Sequence, residues 1–183
     1  MENKLIFEFS KNKTDGDSSL NNLLGGKGAN LAEMSKMGIP VPPGFTITTE
    51  VCNYFTENEK FPENLDNDIK EAVKKLETFS KKSFGGDGMP LLLSVRSGGR
   101  ISMPGMMDSI LNIGLNDSNV SQLADAFNDE RFALDSYRRL IQMYSNVVLG
   151  VEHERFEAVI ANKKRMDNVD SDADFNVEQL NWI

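Results

Sequence analysis

Apolar and polar positions alternate over Leu5–Phe9 and again, briefly, over Phe45–Thr48, which predicts two short strands. Between them Leu31, Met34 and Met37 recur at helical spacing, and Gly38-Ile39-Pro40 supplies a glycine stop with a proline soon after. Leu65, Ile69, Ala72, Val73, Leu76 and Phe79 predict a second helix, closed by the pair Gly85-Gly86. The apolar runs Leu91–Val95 and Ile110–Leu115 read as strands on either side of a small-residue loop. After Asp117 only the helical period remains. Ser118 stands as N-cap before Val120, Leu123, Ala124 and Phe127. Phe132, Tyr137, Leu140, Ile141, Tyr144, Val147 and Val148 predict a long helix over Phe132–Leu149, and Phe156, Val159 and Ile160 one over His153–Lys164. Met166–Asn176 is polar and reads as a solvated, mobile loop, while Asn181-Trp182-Ile183 lies in what looks like a starting helix. The pattern predicts an α+β chain in two parts: a mixed part over residues 1–116 and a helical part over 117–183.

Two glycine-rich elements carry candidate chemistry. The first is Leu24-Gly25-Gly26-Lys27-Gly28-Ala29-Asn30, which places Lys27 in the first turn of a helix or just before it. Helix N-termini attract anions through free N–H groups and the dipole, and a lysine there adds a full charge. It is not a Walker A loop, because Gly28 rather than Ser or Thr follows the lysine. The second is strand, Arg96, then Ser97, Gly98, Gly99, Ser102, Pro104 and Gly105, ending at Asp108-Ser109. Unblocked backbone N–H groups and a planar guanidinium together suit phosphate oxygens, and polyphosphate is the natural guest. Each delivered by a glycine-rich turn, Lys27 and Arg96 are expected to face one shared concavity.

Composition narrows the partners. The formal net charge is −8, which argues against nonspecific nucleic-acid binding but leaves room for a locally positive nucleotide site. The apolar runs are too short to span a membrane, the N-terminus carries no signal peptide, and a single cysteine fits a reducing, cytoplasmic setting. Cys52 is expected to be buried and structural in a short helix, since no histidine is near it in sequence. The aspartates at 167, 170, 172 and 174 lack calcium-loop spacing, and Met103, Met106 and Met107 have no Cys or His beside them, so no metal site is assigned. Arg138 and Arg139 point about 100° apart on a helix, which predicts one surface ion pair and one solvated arginine rather than a shared contact.

Three stretches are similar in sequence to the amino-terminal part of pyruvate, phosphate dikinases: GGKGANLAEMSKMGIPVPPGFTITTE, SVRSGGRISMPGMMDSILNIGLND and FALDSYRRLIQMYSNVV. The likeness runs from about Phe9 to about Phe156, and the SMPGMMDS segment separates this family from phosphoenolpyruvate synthases and antibiotic phosphotransferases. The resemblance implies the first part of an ATP-grasp-like nucleotide-binding domain followed by a truncated helical subdomain. It also implies the family's chemistry: ATP, phosphate and pyruvate are interconverted with AMP, pyrophosphate and phosphoenolpyruvate, through a histidine that travels to a pyruvate-binding barrel. By the same resemblance Lys27 contacts nucleotide phosphates and Arg96 is catalytic, stabilising the transferring group. Gly105, Asp108 and Ser109 belong to the phosphate-holding loop, with Asp108 orienting the loop or pairing with an arginine. Gly99 stands where alanine is usual and Ser109 where threonine is usual, which keeps the hydroxyl. The implied cofactors are ATP and Mg²⁺, the metal held by carboxylates outside this sequence. The implied partners are the carrier-histidine domain and the barrel, with a homodimer formed through the C-terminal part. His153, the only histidine, is not in the carrier motif. The chain is therefore expected to be part of a longer enzyme. The alternative is a noncatalytic module that binds a partner or nucleotide for regulation.

Overall fold

Strand β1 (Ile6–Phe9) pairs antiparallel with β2 (Gly44–Ile47), Ile6 opposite Ile47 and Phe9 opposite Gly44. A second antiparallel pair joins β3 (Leu93–Arg96) to β4 (Ser109–Ile113), with a bulge between Leu93 and Val95. The described residues also form seven helices: α1 (Asn21–Lys36), α2 (Thr49–Asn58), α3 (Leu65–Ser80), α4 (Val120–Phe127), α5 (Glu130–Val147), α6 (His153–Asp167) and α7 (Val177–Trp182). This computed structural model describes residues 4–98 and 109–183. Its class is α+β. No described helix is long and apolar enough to cross a membrane. The sequence pattern changes at 116/117, whereas packing divides the described chain into residues 4–80 with 97–98 and residues 81–96 with 109–183.

In the first unit α1 packs on the β1–β2 pair. Its buried positions are Leu24, Gly25, Gly28, Ala29 and Ala32, while Met34 and Met37 lie exposed. The buried face is thus made of Leu24 and a row of small residues rather than of the Leu31–Met34–Met37 row, the small residues letting the helix approach the sheet closely. The helix also begins earlier than expected, at Asn21. In α2 the buried residue is Val51, and Cys52, one step of about 100° further round, is exposed. The expectation of a buried cysteine is corrected by that rotation. Helix α3 ends at Ser80, with Lys81 in the left-handed region, short of the glycine pair expected to stop it.

In the second unit α5 buries Ala133, Ser136 and Leu140, an i, i+3, i+7 row, against β4 and α4. Ile110, Leu115 and Leu123 complete this core. The cap of α4 is Asn119, not Ser118. Asn119 is fully buried, and its side chain turns back to the preceding loop, accepting from Asn116 N and donating to Gly114 O. A second cluster of Ile160, Phe175 and Leu180 overturns the expectation of a solvated loop over Met166–Asn176. Phe175 is fully buried, and Arg131 donates to the carbonyls of Asp172, Ala173 and Phe175, so one apolar side chain and one arginine pin the polar stretch.

Candidate nucleotide-phosphate site

Gly25 interrupts α1 with φ 68° and ψ 164°, dihedrals that favour glycine. The helix restarts beyond it, and Lys27 lies two residues past the break. A restarted helix presents fresh N–H groups at its new end, the setting that favours anions. Gly28 serves packing: a Cβ there would lie 2.6 Å from Thr46 Cγ2 and 2.8 Å from Thr46 Oγ1 on β2. Gly25, two residues before Lys27, thus breaks the helix, and Gly28, directly after it, lets the helix approach the sheet. Lys27 Nζ donates to the carbonyl oxygen of Ser97 at 2.8 Å. That acceptor is neutral, so the ammonium keeps its charge for an anion.

Arg96 closes β3 and is exposed, directly opposite Ser109, which opens β4. Directly opposed residues of an antiparallel pair share a face, so backbone pairing alone puts the guanidinium and the hydroxyl on one side of the hairpin. Arg96 belongs to the second unit, and Ser97, the acceptor of Lys27, follows it in the chain but packs with the first. Gly98, beside Lys27, also belongs to the first unit. Gly105 and Asp108, with Gly99 and the Met103–Met107 cluster, lie outside the described residues.

Ser109 also lines a cavity of about 670 Å³ in the second unit, together with Asp135, Arg139, Gln142 and His153. Arg139 is one of the two adjacent arginines expected to form one surface ion pair and leave one arginine solvated. Asp135 pairs with both arginines, Oδ1 with Arg138 Nη2 at 2.8 Å and Oδ2 with Arg139 Nε at 2.9 Å. The expectation that they could not share a contact is corrected: one carboxylate has two oxygens, and the i+3 and i+4 positions both reach it. Arg138 is nearly buried, whereas the Arg139 side chain is 60% exposed. The i+3 and i+4 spacings from Asp135 mark both arginines as candidate partners, and only the burial of Arg138 leaves Arg139 as the exposed one.

The larger cavity, about 860 Å³, lies in the first unit along β1, α2 and α3. Glu8, Asp15, Glu50, Glu57, Glu63, Asp68 and Glu71 outnumber Lys4, Lys13 and Lys75 on its walls. Lys75 is bonded to Glu8, and Lys4 to Asp15. Its excess of carboxylates repels a polyphosphate, so volume does not decide the site. Among the described residues no group of three or more His, Cys, Asp or Glu side chains is placed to hold a metal ion.

Residues 21–83 match the family described as pyruvate phosphate dikinase, AMP/ATP-binding domain. The chain is 50% identical over 181 residues to the pyruvate, phosphate dikinase of Rickettsia conorii, covering 98% of this chain and 21% of that protein. It is 51% identical over 183 residues to that of Rickettsia prowazekii, covering 99% and 21%. The Clostridium symbiosum dikinase is 47% identical over 178 residues, covering 97% and 20%. The chain thus spans about a fifth of the length of the relatives it matches. These matches identify the chain as a relative of the amino-terminal, AMP/ATP-binding part of pyruvate, phosphate dikinases.

Proposed function

We propose that this chain supplies phosphate-binding groups to the ATP-dependent step of a pyruvate, phosphate dikinase, within a domain of ATP-grasp type. The observation that carries the reading is the bond from Lys27 Nζ to the carbonyl of Ser97, the residue that follows Arg96. Lys27 and Arg96 are each assigned to phosphate oxygens of the nucleotide, with Arg96 bearing on the group in transfer. Phosphoryl transfer needs little covalent help from protein. It needs positioned positive charge and N–H donors around the transferring oxygens. A guanidinium supplies a planar fork, an ammonium a point charge, and the Ser109 hydroxyl a further donor. Arg139, in the cavity that Ser109 lines, is assigned a second set of phosphate oxygens.

Among the described residues no cluster of three or more His, Cys, Asp or Glu side chains is placed to hold Mg²⁺. The metal expected with ATP is therefore assigned to residues outside them, as are the carrier histidine, the pyruvate site and the dimer contact of the complete enzyme. The amino-terminal fifth contributes cations and backbone to one end of the reaction.

The test is Arg96→Ala in the complete dikinase, with the two half-reactions measured separately. Phosphate transfer from ATP to the carrier histidine is expected to fall on the order of 10² to 10⁵-fold, the range for losing a charge contact to a transferring group. Transfer between the carrier and pyruvate is expected to be nearly unchanged. Equal loss in both would point to a folding defect and against the assignment.

A further inference from the structure

Asp135 holds two arginines that face different surroundings. Its Oδ1 takes Arg138, whose Nη2 also lies 3.5 Å from Asp172 Oδ2 and whose Nη1 donates to Gln142. Asp172 is in turn bonded to Lys164 at 2.6 Å. The other oxygen of Asp135 takes Arg139 Nε at 2.9 Å, at the wall of the cavity that Ser109 shares. The Asp135 carboxylate is itself nearly buried, at 14% exposure, whereas Arg139 is mostly exposed. A long, exposed arginine loses rotamer freedom when it binds an anion, and a carboxylate that has already fixed one edge removes part of that cost. With Nε occupied, the two Nη groups remain for phosphate oxygens.

We infer that Asp135 is a positioning residue for anion binding in this cavity: it fixes Arg139, and it is fixed in turn by Arg138, which Asp172 backs from the far side. This rests on the reading of the Ser109 cavity as phosphate-binding. A simpler role makes the opposite prediction. If Asp135 merely neutralised Arg139, removing its charge would raise the local potential and tighten anion binding.

The test uses the ¹⁵N-labelled 183-residue chain titrated with inorganic pyrophosphate, read at the arginine Nε–H resonances. In the wild type the Arg139 signal is expected to shift saturably. In Asp135→Asn the affinity is expected to fall on the order of three- to tenfold, despite the loss of a negative charge, with the amide spectrum confirming the fold. In Asp172→Asn, which is not on the cavity wall, the loss is expected in the same direction and smaller. Unchanged or tighter binding by Asp135→Asn would overturn the positioning role. If that variant fails to fold, undiminished affinity in Asp172→Asn overturns the relay instead. No saturable shift of Arg139 in the wild type would remove the phosphate reading of the cavity, and the inference with it.

Discussion

Gly26 and Gly28 sit two residues apart on α1 and answer to different constraints. At Gly28 a methyl group would meet Thr46 of β2 below 3 Å, and a β-branched strand residue has little rotamer freedom with which to retreat. At Gly26 the nearest contact would be Asn21 Oδ1 at 3.6 Å, an ordinary approach. Gly28→Ala is therefore expected to destabilise by about 1–3 kcal/mol, the usual cost of overpacking. Gly26→Ala is expected to be neutral or to stabilise by up to about 1 kcal/mol. Urea denaturation of the two variants checks this, and similar midpoints would contradict it. Residue by residue, the sequence showed the glycine-rich turns, and with them Lys27 and Arg96, because glycine and cation patterns are local. It did not show that Gly28 also serves packing, which depends on a strand eighteen residues away. Nor did it separate Arg138 from Arg139, because which arginine faces a cavity depends on the neighbouring elements.

At the scale of elements, the stretch after α6 is the clearest case of tertiary structure overriding composition. Its aspartates read as solvated, yet Phe175 anchors it and Arg131 clamps its carbonyls. Phe175→Ala is expected to cost about 3–5 kcal/mol, as for a large buried side chain. Charge adds a pH dependence. The hydrogen bond from Lys164 holds the Asp172 carboxyl below its ordinary value of 3.8; burial opposes this, and the charges of Lys164, Arg138 and Arg139 reinforce it. Asp167 is lowered likewise, chiefly by its bond to Lys163. Carboxylates lowered on folding contribute stability above their ordinary value and lose it as pH falls below. Docking of this stretch is therefore expected to weaken below about pH 4. Trp182, the chain's single tryptophan, lies with its ring 4.8 Å from Lys163 Nζ and reports the event. Its emission is expected to change between about pH 4 and pH 2, with a smaller step in Asp172→Asn. Emission that stays flat through that range, or a step that Asp172→Asn leaves unaltered, would contradict the coupling. The helices after Asn116 were legible because their apolar rows are long, and strand ends shifted by up to two residues because short strands have few positions to define them. The anchoring of Phe175 was not legible, since one aromatic in a polar run has no period.

At the scale of the whole molecule, the chain spans about a fifth of its dikinase relatives, and its described residues carry no cluster suited to a metal. On its own it is expected to release no AMP from ATP in the presence of pyruvate and phosphate. Its nucleotide affinity is expected to be weak, because phosphate contacts in open solvent contribute little. Any genuine turnover by the purified chain would contradict that account. The likeness to dikinases was legible in long stretches of sequence, whereas the division into two packing units, with breaks after Ser80 and after Arg96, was not, because it depends on which neighbours each segment meets in the fold. The most direct test of the central assignment is a backbone amide map of the ¹⁵N-labelled chain titrated with Mg-ATP. The assignment predicts that shifts concentrate at residues 25–28, 96–98 and 109, and that Lys27→Ala and Arg96→Ala each weaken them. Shifts confined to the carboxylate-lined groove of α2 and α3, or shifts that both substitutions leave unchanged, would contradict it.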